Sequence, residues 1–455
     1  MSLKNESLLL SVSVFVALAA PSRALEPVAE LVTNERFSGD VFWSVSVDGD
    51  AVAAGVPYAS VPPHGPALAG AVYVFRRGPG GWFQEAKVFA ANPLEVDQMG
   101  HSVALRGDVL VAGAPHGTTW EPDEDGKVYV FHRVGGSWVQ THTLVPPDEL
   151  RTDIFGYAVG FDGVRIVAAS SGYSTQPGRV FPFRWDGVEW VDEDSMTGSD
   201  VAPDDDFGRI LGLQGDTLMV GAPSHDLPLA NAGAVYVFRY DGETWSQQAK
   251  LMASDAAADD GFGASLALHE DIALIGAPGR APTGTSFGAV YVFRRTGTQW
   301  IEDTVIVSPD PQEGAGFGNA VVFDGSALAV AAPYADYGGY YVGGGAAYLF
   351  DYEGLNWVYR EKLHRPHYAT RFAWLASGST NWAFFTSQPP ETTTIPSTIF
   401  GYCVAKNAPC IPALSMWGVG VLTLLVVVFG AGVLRRRSAL TSMLILTQRS
   451  RNQRG

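Results

Sequence analysis

The sequence predicts an all-β protein made of repeated antiparallel units. The first observation is a Phe-Gly pair that returns at intervals of 52 to 58 residues, so seven units fit. The second is a Gly-Ala-Pro element that follows the pair in five units, at 113–115, 221–223 and 276–278, with variants at 55–57 and 331–333. The unit openings are Val41-Phe42, Met99-Gly100, Phe155-Gly156, Phe207-Gly208, Phe262-Gly263, Phe317-Gly318 and Phe372-Ala373.

The third observation is a tryptophan that follows the third apolar run of each unit. In the unit that opens at Phe262, this run is Gly288–Phe293 and the tryptophan is Trp300. We expect these tryptophans to border the outer strands and to pack between neighbouring units. The six are Trp82, Trp138, Trp190, Trp245, Trp300 and Trp357.

Each unit contains short apolar or alternating runs bounded by Gly, Pro and Asp, a pattern typical of repeated antiparallel sheets. A Gly-Asp step joins the first two runs, as at Gly107-Asp108 and Gly215-Asp216, and the glycine supplies the positive φ that a hairpin turn needs. Unit three is irregular: Ala169-Ser170-Ser171 replaces Gly-Ala-Pro. Pro182 lies in its third run and predicts a bulge, because proline cannot donate a ladder hydrogen bond.

These elements resemble the FG-GAP repeat, the blade unit of the integrin α-chain β-propeller, over roughly residues 29–404. The resemblance is closer to the bacterial branch of that repeat. It implies four-stranded blades around a central axis, so we expect a seven-bladed β-propeller over residues 25–404.

The N-terminal strand is expected to close this ring. Residues 28–33 resemble the fourth run of other units, such as Glu85–Phe89, yet they precede the first unit. The last unit has no fourth run of its own. We therefore expect the N-terminal strand to complete it and to cover two sheet edges.

Composition limits the class of partner. The 455 residues carry a net charge of −17, and the last 21 residues hold six arginines and no acid, so the remainder is more negative still. Nucleic-acid binding is not expected, because phosphate contacts need clustered basic groups.

Residues 1–24 resemble a secretory signal peptide, with Lys4 ahead of the apolar run Leu8–Ala20 and a small-x-small site at Ser22-Arg23-Ala24. An uncleaved anchor is the alternative. Export is the expectation in both cases.

Residues 414–434 contain no charge and are long enough to span a bilayer as a helix. The arginines that follow place the tail, residues 435–455, in the cytoplasm. The lead-in resembles the IPTL-type C-terminal sorting signal of Gram-negative bacteria, which implies a sorting protease as a partner. Its residues are Ile411, Pro412, Ala413, Leu414, Ser415, Trp417 and Gly418, with Arg435, Arg436 and Arg437. Ala413 departs from the usual Thr.

Residues 405–413 form a short stalk before this span. Cys403 and Cys410 are the two cysteines of the chain and flank the stalk on the exported side. A small disulfide loop is expected in an oxidising compartment. The protein should therefore be anchored in the cytoplasmic membrane facing the periplasm, or sorted to the cell surface.

Acidic and aromatic loops give the candidate binding face. In a propeller, the connections from strand four to the next strand one share a face with the loops between strands two and three. Exposed aromatic residues on loops tend to mark binding, although solubility and turn chemistry explain the acids equally well. The candidates are Trp120, Asp123, Glu124, Asp125, Asp204, Asp205, Asp206, His225, Asp226, Asp336, Tyr337, Tyr340 and Tyr341.

No metal site or cofactor is assigned. Integrin-type units carry an Asp-x-Asp-x-Asp-Gly calcium loop between strands one and two, whereas this chain has only the Gly-Asp step there. Weak calcium binding at Asp204–Asp206 remains open. Arg106-Gly107-Asp108 spells the tripeptide that integrins read, but Gly-Asp fills the same turn in other units, which favours a turn role.

No catalytic residue is assigned either, because no nucleophile elbow, metalloprotease helix or phosphate loop is present in the sequence. We expect a non-enzymatic, membrane-anchored propeller for adhesion or for recognition of a protein or glycan. The alternatives are an exported polysaccharide hydrolase or lyase, whose carboxylate pairs are not readable from sequence, and a structural envelope protein.

Overall fold

Each repeat unit folds into an antiparallel sheet of four strands in consecutive order. The structure is a computed structural model that describes residues 29–31, 41–62, 65–115, 126–147, 154–171, 176–281, 284–336, 344–363, 372–379, 382–387 and 398–403. No α-helix occurs in these ranges. The first strands of successive sheets contact one another and form an inner ring.

Six of the sheets are blades whose side chains are described. Blades 1 and 2 comprise β2 (Ser44–Asp48), β3 (Ala51–Val56), β4 (Ala71–Gly78), β5 (Gly81–Val88), β6 (Ser102–Arg106), β7 (Val109–Ala114), β8 (Lys127–Val134) and β9 (Ser137–Leu144). Blades 3 and 4 comprise β10 (Phe155–Phe161), β11 (Arg165–Ser170), β12 (Arg179–Trp185), β13 (Trp190–Asp192), β14 (Leu211–Gln214), β15 (Thr217–Ala222), β16 (Ala234–Tyr240) and β17 (Trp245–Leu251). Blades 5 and 6 comprise β18 (Ser265–His269), β19 (Ile272–Ala277), β20 (Ala289–Thr296), β21 (Gln299–Ile306), β22 (Ala320–Phe323), β23 (Ala327–Ala332), β24 (Ala346–Glu353) and β25 (Asn356–Leu363).

The remaining four-stranded sheet has a different composition. Its order is β1-β28-β27-β26, with β1 (Ala29–Leu31), β26 (Phe372–Ser379), β27 (Trp382–Ser387) and β28 (Thr398–Cys403). Strand β26 contacts β22 and β2, so this closing sheet lies between blades 6 and 1. Only Leu31 has a described side chain in it, and Leu31 is buried in the blade 1 core.

The expectation of seven blades is wrong: the propeller has six blades and a closing sheet. Each of the six blades is built from four strands that are consecutive in the chain, and each has a described hydrophobic core. The closing sheet differs from them because it takes its outer strand from the other end of the chain. The N-terminal pairing itself is confirmed, because Ala29, Glu30 and Leu31 pair with Gly401, Phe400 and Ile399.

The repeated motifs recur because they build the joint between blades. The carbonyl of Gly318, in one Phe-Gly pair, lies against Gly276 of the preceding Gly-Ala-Pro, where a Cβ would collide with it. Ser265 Oγ also donates to this carbonyl at 2.7 Å. Ser44 and Ser102 make the same bond to Gly100 and Gly156, at 2.8 and 2.9 Å.

The tryptophans pack between blades, as expected. Trp138 packs against the core shared by blades 1 and 2, and its indole N–H donates to Glu85 of blade 1 at 3.3 Å. Trp245 of blade 4 donates to Glu193 of blade 3 at 2.9 Å. The second strands β3, β15 and β23 are buried along their whole length, because their two faces are covered by neighbouring blades.

Two local predictions have different outcomes. Gly107 has φ +59° in the hairpin between β6 and β7, and Asp108 lies 3.7 Å from Arg133, so the turn role of Arg106-Gly107-Asp108 is confirmed. The irregularity expected at Pro182 lies on one side only: Pro182 pairs with Val167 of β11 without a register shift, whereas on the other side Phe183 pairs with Asp192 and Val180 bridges Met196, one residue out of register. The Pro182 carbonyl accepts from Glu193 N–H on the β13 side, so the missing donor faces β13, which has only three residues.

The described ranges contain no helix that is long and apolar enough to cross a membrane. Residues 1–28 and 404–455 lie outside those ranges. The predicted signal peptide, stalk, span, sorting motif and basic tail all belong to these outer segments.

Candidate recognition face

The loops that enter first strands and the loops between second and third strands meet on one face, which we call the loop face. Ser224 N–H donates to the Asp205 carbonyl at 3.2 Å, and Gly279 N–H donates to the Asp260 carbonyl at 3.0 Å. Each bond joins one loop of each kind. The predicted juxtaposition of the two loop sets is therefore confirmed.

The sequence-predicted acids on this face differ in exposure. Asp204 and Asp226 are exposed, whereas Asp205 is buried. The remaining candidates, Trp120, Asp123, Glu124, Asp125, Tyr337, Tyr340, Tyr341 and Cys410, lie outside the described residues. Cys403 ends β28, where only the backbone is described.

Asp205 and His225 form a buried pair, with exposed fractions of 3 % and 2 %. His225 Nδ1 donates to Asp205 Oδ2 at 2.7 Å, and Ala202 N–H donates to the same oxygen at 2.7 Å. His225 Nε2 lies 2.7 Å from Lys250 Nζ, so the ring accepts there and carries its proton on Nδ1. This pair fixes the loop and has no access to a ligand.

Asp206 and Asp336 are held by neighbouring polar groups. Ser224 Oγ donates to Asp206 at 3.0 Å, and Arg209 lies 3.6 Å from the same carboxylate. Gln312 Nε2 donates to the Asp336 carbonyl at 3.0 Å. These contacts join adjacent loops, so these two positions also contribute to the frame of the face.

A second network recurs on the face, and we call it the tyrosine clasp: a buried third-strand tyrosine, an aspartate above it, and a cation. In blade 4, Tyr236 Oη donates to Asp200 at 2.7 Å and Lys250 Nζ donates to the other carboxylate oxygen at 2.7 Å. Burial alone would raise the pKa of Asp200, but these two donors lower it overall. Burial and the nearby carboxylate raise the pKa of Tyr236.

Blade 6 has a clasp of the same form. Lys362 Nζ donates to Asp310 at 2.7 Å, and Tyr348 also donates to Asp310. In spite of burial, these donors lower the pKa of Asp310. Lys362 is the cross-strand neighbour of Tyr348, as Lys250 is of Tyr236.

Blade 5 supplies the cation from a loop. Tyr291 donates to Asp255, and Arg280 donates to Asp255 at 2.6 Å and to Tyr291 Oη at 2.8 Å. The cross-strand neighbour of Tyr291 is Val305, which has no charge. Burial opposes ionisation of Asp255, but Tyr291 and Arg280 lower its pKa overall.

A buried aspartate also caps the turn before three Phe-Gly or Met-Gly pairs. Asp97, Asp205 and Asp260 accept from the N–H three residues earlier, at 3.1, 2.7 and 2.8 Å. Their companions differ: Tyr129 donates to Asp97, and His225 donates to Asp205. At Asp260, burial raises the pKa, and backbone N–H groups of Ala257 and Ala281 only partly oppose it.

Sequence reasoning did not identify the clasps. Their signal was present, because the tyrosine recurs in every Ala-Val-Tyr-Val-Phe run and the lysine recurs in the fourth runs at Lys87, Lys250 and Lys362. Antiparallel pairing places these two positions opposite each other. Much of the negative charge on the loop face is therefore already paired within the protein.

Within the described ranges, no three His, Cys, Asp or Glu side chains converge as a metal site would require. The carboxylates of Asp205 and Asp206 are directed to different partners, His225 and Ser224. Calcium binding at Asp204–Asp206 stays a prediction.

Comparison with known proteins gives one informative match. The FG-GAP repeat model matches residues 82–131, 190–238 and 245–293, and each segment runs from the tryptophan of one blade to the third strand of the next. No curated protein matches the chain. Among solved structures, Sqt1 of Saccharomyces cerevisiae is similar at a TM-score of 0.47 and 8 % identity, over 84 % of this chain and 100 % of that chain. The matched segments show that the chain contains FG-GAP repeats, and its sheets form a β-propeller.

Proposed function

We propose that this protein is a non-enzymatic recognition propeller that captures a protein or glycan ligand through its loop face. The FG-GAP repeat supports a scaffold for recognition or adhesion. A scaffold of this kind keeps its frame constant and carries its site on variable loops.

The division between joint and loops is the observation that carries this proposal. The joint repeats in detail, since the same serine-to-carbonyl bond recurs at Ser44, Ser102 and Ser265. The loops differ in content at equivalent positions: Asp204-Asp205-Asp206 before blade 4 corresponds to Asp259-Asp260-Gly261 before blade 5. Selection for a shared fold explains why the joint is constant, but it does not explain why the loops differ.

A glycan and protein array probed with the full chain tests the proposal, since the ligand class is open. Replacing Tyr337, Tyr340 and Tyr341 with Ala should abolish attachment with little change in melting temperature. Replacing Asp123, Glu124 and Asp125 with their amides should mainly remove the salt-sensitive part, since exposed charges are screened over roughly 10 Å at 0.1 M salt. Attachment that survives both sets would show that these loops do not carry the binding site, and an array without any ligand would support the structural-envelope alternative.

We further propose that the propeller is exported and anchored by residues 414–434, with Arg435–Arg437 in the cytoplasm. The uncharged run and the arginines that follow support this topology. A reporter fused after Gly455 should behave as cytoplasmic, and a reporter inserted at Pro389-Pro390 should behave as exported. The reverse pattern would contradict the proposal, and a mass shift near Ile411–Trp417 would reveal sorting.

A further inference from the structure

Three consecutive blades place an aromatic ring at the same position beside the propeller axis. The position is the residue after the Phe-Gly or Met-Gly pair and its blade 1 counterpart, at the start of the first strand. It holds Trp43 in blade 1, His101 in blade 2 and Tyr157 in blade 3. First strands form the inner ring, so these side chains lie where that ring opens on the loop face.

The rings contact one another across the blades and form a continuous surface, which we call the aromatic arc. The His101 and Tyr157 centroids are 4.6 Å apart, and those of Trp43 and His101 are 5.8 Å apart. Tyr58, from the loop after β3, packs edge-on against Trp43 at 5.8 Å. His101 Nδ1 donates to the Tyr157 carbonyl at 3.0 Å, which fixes the orientation of the imidazole.

The arc is partly exposed. Tyr58 is 38 % exposed, and Trp43, His101 and Tyr157 are each partly accessible. The Phe residues one or two positions earlier, such as Phe42 and Phe155, are fully buried in the cores. A core role therefore accounts for the phenylalanines and leaves the arc unexplained.

The backbone at this position is constant while the side chain changes. The N–H donates to the carbonyl three residues earlier in five blades, at 3.0 to 3.2 Å. These N–H groups belong to His101, Tyr157, Arg209, Ala264 and Asn319. Blades 4, 5 and 6 thus hold Arg209, Ala264 and Asn319 where blades 1, 2 and 3 hold aromatic rings, so among these six blades the arc is confined to three consecutive ones.

The charged side chains around the aromatic arc do not favour a positively charged ligand. Arg209 occupies the position next to Tyr157 and is paired with Asp206 at 3.6 Å. The acid nearest His101 in sequence, Asp97, is buried and accepts from Tyr129. A ligand with an uncharged apolar face and polar edges fits this combination, because aromatic faces attract C–H groups and tyrosine hydroxyls can hydrogen-bond to polar edges.

We propose that the aromatic arc is a stacking site for a pyranose ring of a neutral glycan. The inference rests on the proposed recognition function and names its ligand class. Trp43 provides the main stacking face, Tyr157 provides the second, and the polar side chains on the other blades contact hydroxyl groups.

Titration calorimetry of the full chain with neutral hexasaccharides (cellohexaose, maltohexaose, xylohexaose) and with hexalysine tests this proposal. At least one sugar should bind, and Trp43→Ala and Tyr157→Ala should each weaken its binding tenfold or more. Trp43→Phe should stay within threefold of the parent, because it keeps a stacking face. The matched control is Phe83→Ala, since Phe83 is 50 % exposed on the outer strand of the same blade and should bind like the parent.

The outcomes separate this inference from the proposed function. Unchanged sugar binding in Trp43→Ala and Tyr157→Ala, or binding of hexalysine with no sugar binding, would overturn the arc as a glycan site. If array attachment then still depends on Tyr337, Tyr340 and Tyr341, the recognition function stands without the arc. If the array finds no ligand at all, the recognition function fails as well.

Discussion

On the loop face, blades 4 and 5 pair the aspartate of the tyrosine clasp with cations from different parts of the chain. In both, a fully buried tyrosine, Tyr236 or Tyr291, donates to an aspartate that needs a cation. Blade 4 takes the cation from its fourth strand, where Lys250 is opposite Tyr236. Blade 5 has Val305 at that position and takes Arg280 from the loop between its second and third strands.

This difference indicates which positions of the loop face can vary in sequence. The half-exposed carboxylate above each buried tyrosine is stabilised in its charged form by the tyrosine hydroxyl and by a cation, and both lower its pKa against the effect of burial. Where the fourth strand supplies the lysine, the loop above is free to carry other groups, such as the exposed Asp226. Where the fourth strand has valine at this position, the cation must come from an arginine on the loop. A charged loop residue can therefore serve the fold, and its charge alone does not identify it as a binding residue.

The largest expected effect lies at the joint beneath both clasps. In blades 4 and 5, a Cβ on Gly221 or Gly276 would collide with the backbone carbonyl of Gly263 or Gly318. Gly221→Ala and Gly276→Ala should each lower the free energy of unfolding by about 3 kcal/mol, because backbone cannot move aside cheaply. Chemical denaturation measures the effect, with Gly80→Ala as control, since Gly80 has open space around it. Equal stability of all three variants would contradict this account of the joint.

The second largest effect is expected at the buried aspartates that cap the turns before blades 4 and 5, Asp205 and Asp260. Asp205→Asn should cost about 1–3 kcal/mol at pH 7, because it weakens a charge-assisted bond to buried His225. Asp260→Asn should be nearly neutral or slightly stabilising, because burial raises the pKa of Asp260 and favours an uncharged side chain. Denaturation curves of both variants at pH 7 check this order, and a larger loss for Asp260→Asn would refute it.

Exchanging the cation between strand and loop tests the comparison itself. Arg280→Met should cost about 1 kcal/mol, a modest value because the Asp255 side chain is 45 % exposed. Adding Val305→Lys should recover at least half of that loss, since lysine then stands opposite Tyr291 as Lys250 stands opposite Tyr236. A double-mutant cycle measures the coupling, and additive effects would show that the two positions do not substitute for each other.

The smallest expected effect is the pH dependence of the clasps. The pKa values of Asp200, Asp255 and Asp310 are lowered in the folded protein from an ordinary value of 3.8. Their contribution is therefore complete at neutral pH and is lost as the pH falls below about 4 and through the folded pKa values. Unfolding free energies between pH 7 and pH 3 should fall less steeply for Lys362→Met than for the parent, because one of the three clasps is removed.

Repeats and strands could be predicted from sequence because their signals are periodic. The recurring Gly-Ala-Pro and Phe-Gly elements marked the positions where neighbouring blades join. The strand-like run near Ala29, which precedes the first unit, predicted its own pairing with the last sheet. The number of equivalent blades could not be read in the same way. A degraded opening at Phe372-Ala373 looks like another unit, although its sheet lacks the Gly-Ala-Pro element and borrows a strand.

The site was harder to predict because sequence spacing does not report burial. Asp204, Asp205 and Asp206 look equivalent in the sequence, yet only Asp204 is exposed while Asp205 is 3 % exposed against His225. The positive φ of Asp204 and Asp206 directs these adjacent side chains to different surroundings. The arc was also hidden, because Trp43, His101 and Tyr157 lie far apart in the chain.

The most direct test of the account is whether the exposed acids of the loop face act separately from the buried ones. Asp204 and Asp226 should be replaced together by Asn in the full chain, and both the unfolding free energy and the salt dependence of array attachment should be measured. We predict a free energy within about 0.5 kcal/mol of the parent and a weaker salt dependence of attachment. A large loss of stability with unchanged attachment at every salt concentration would contradict the account.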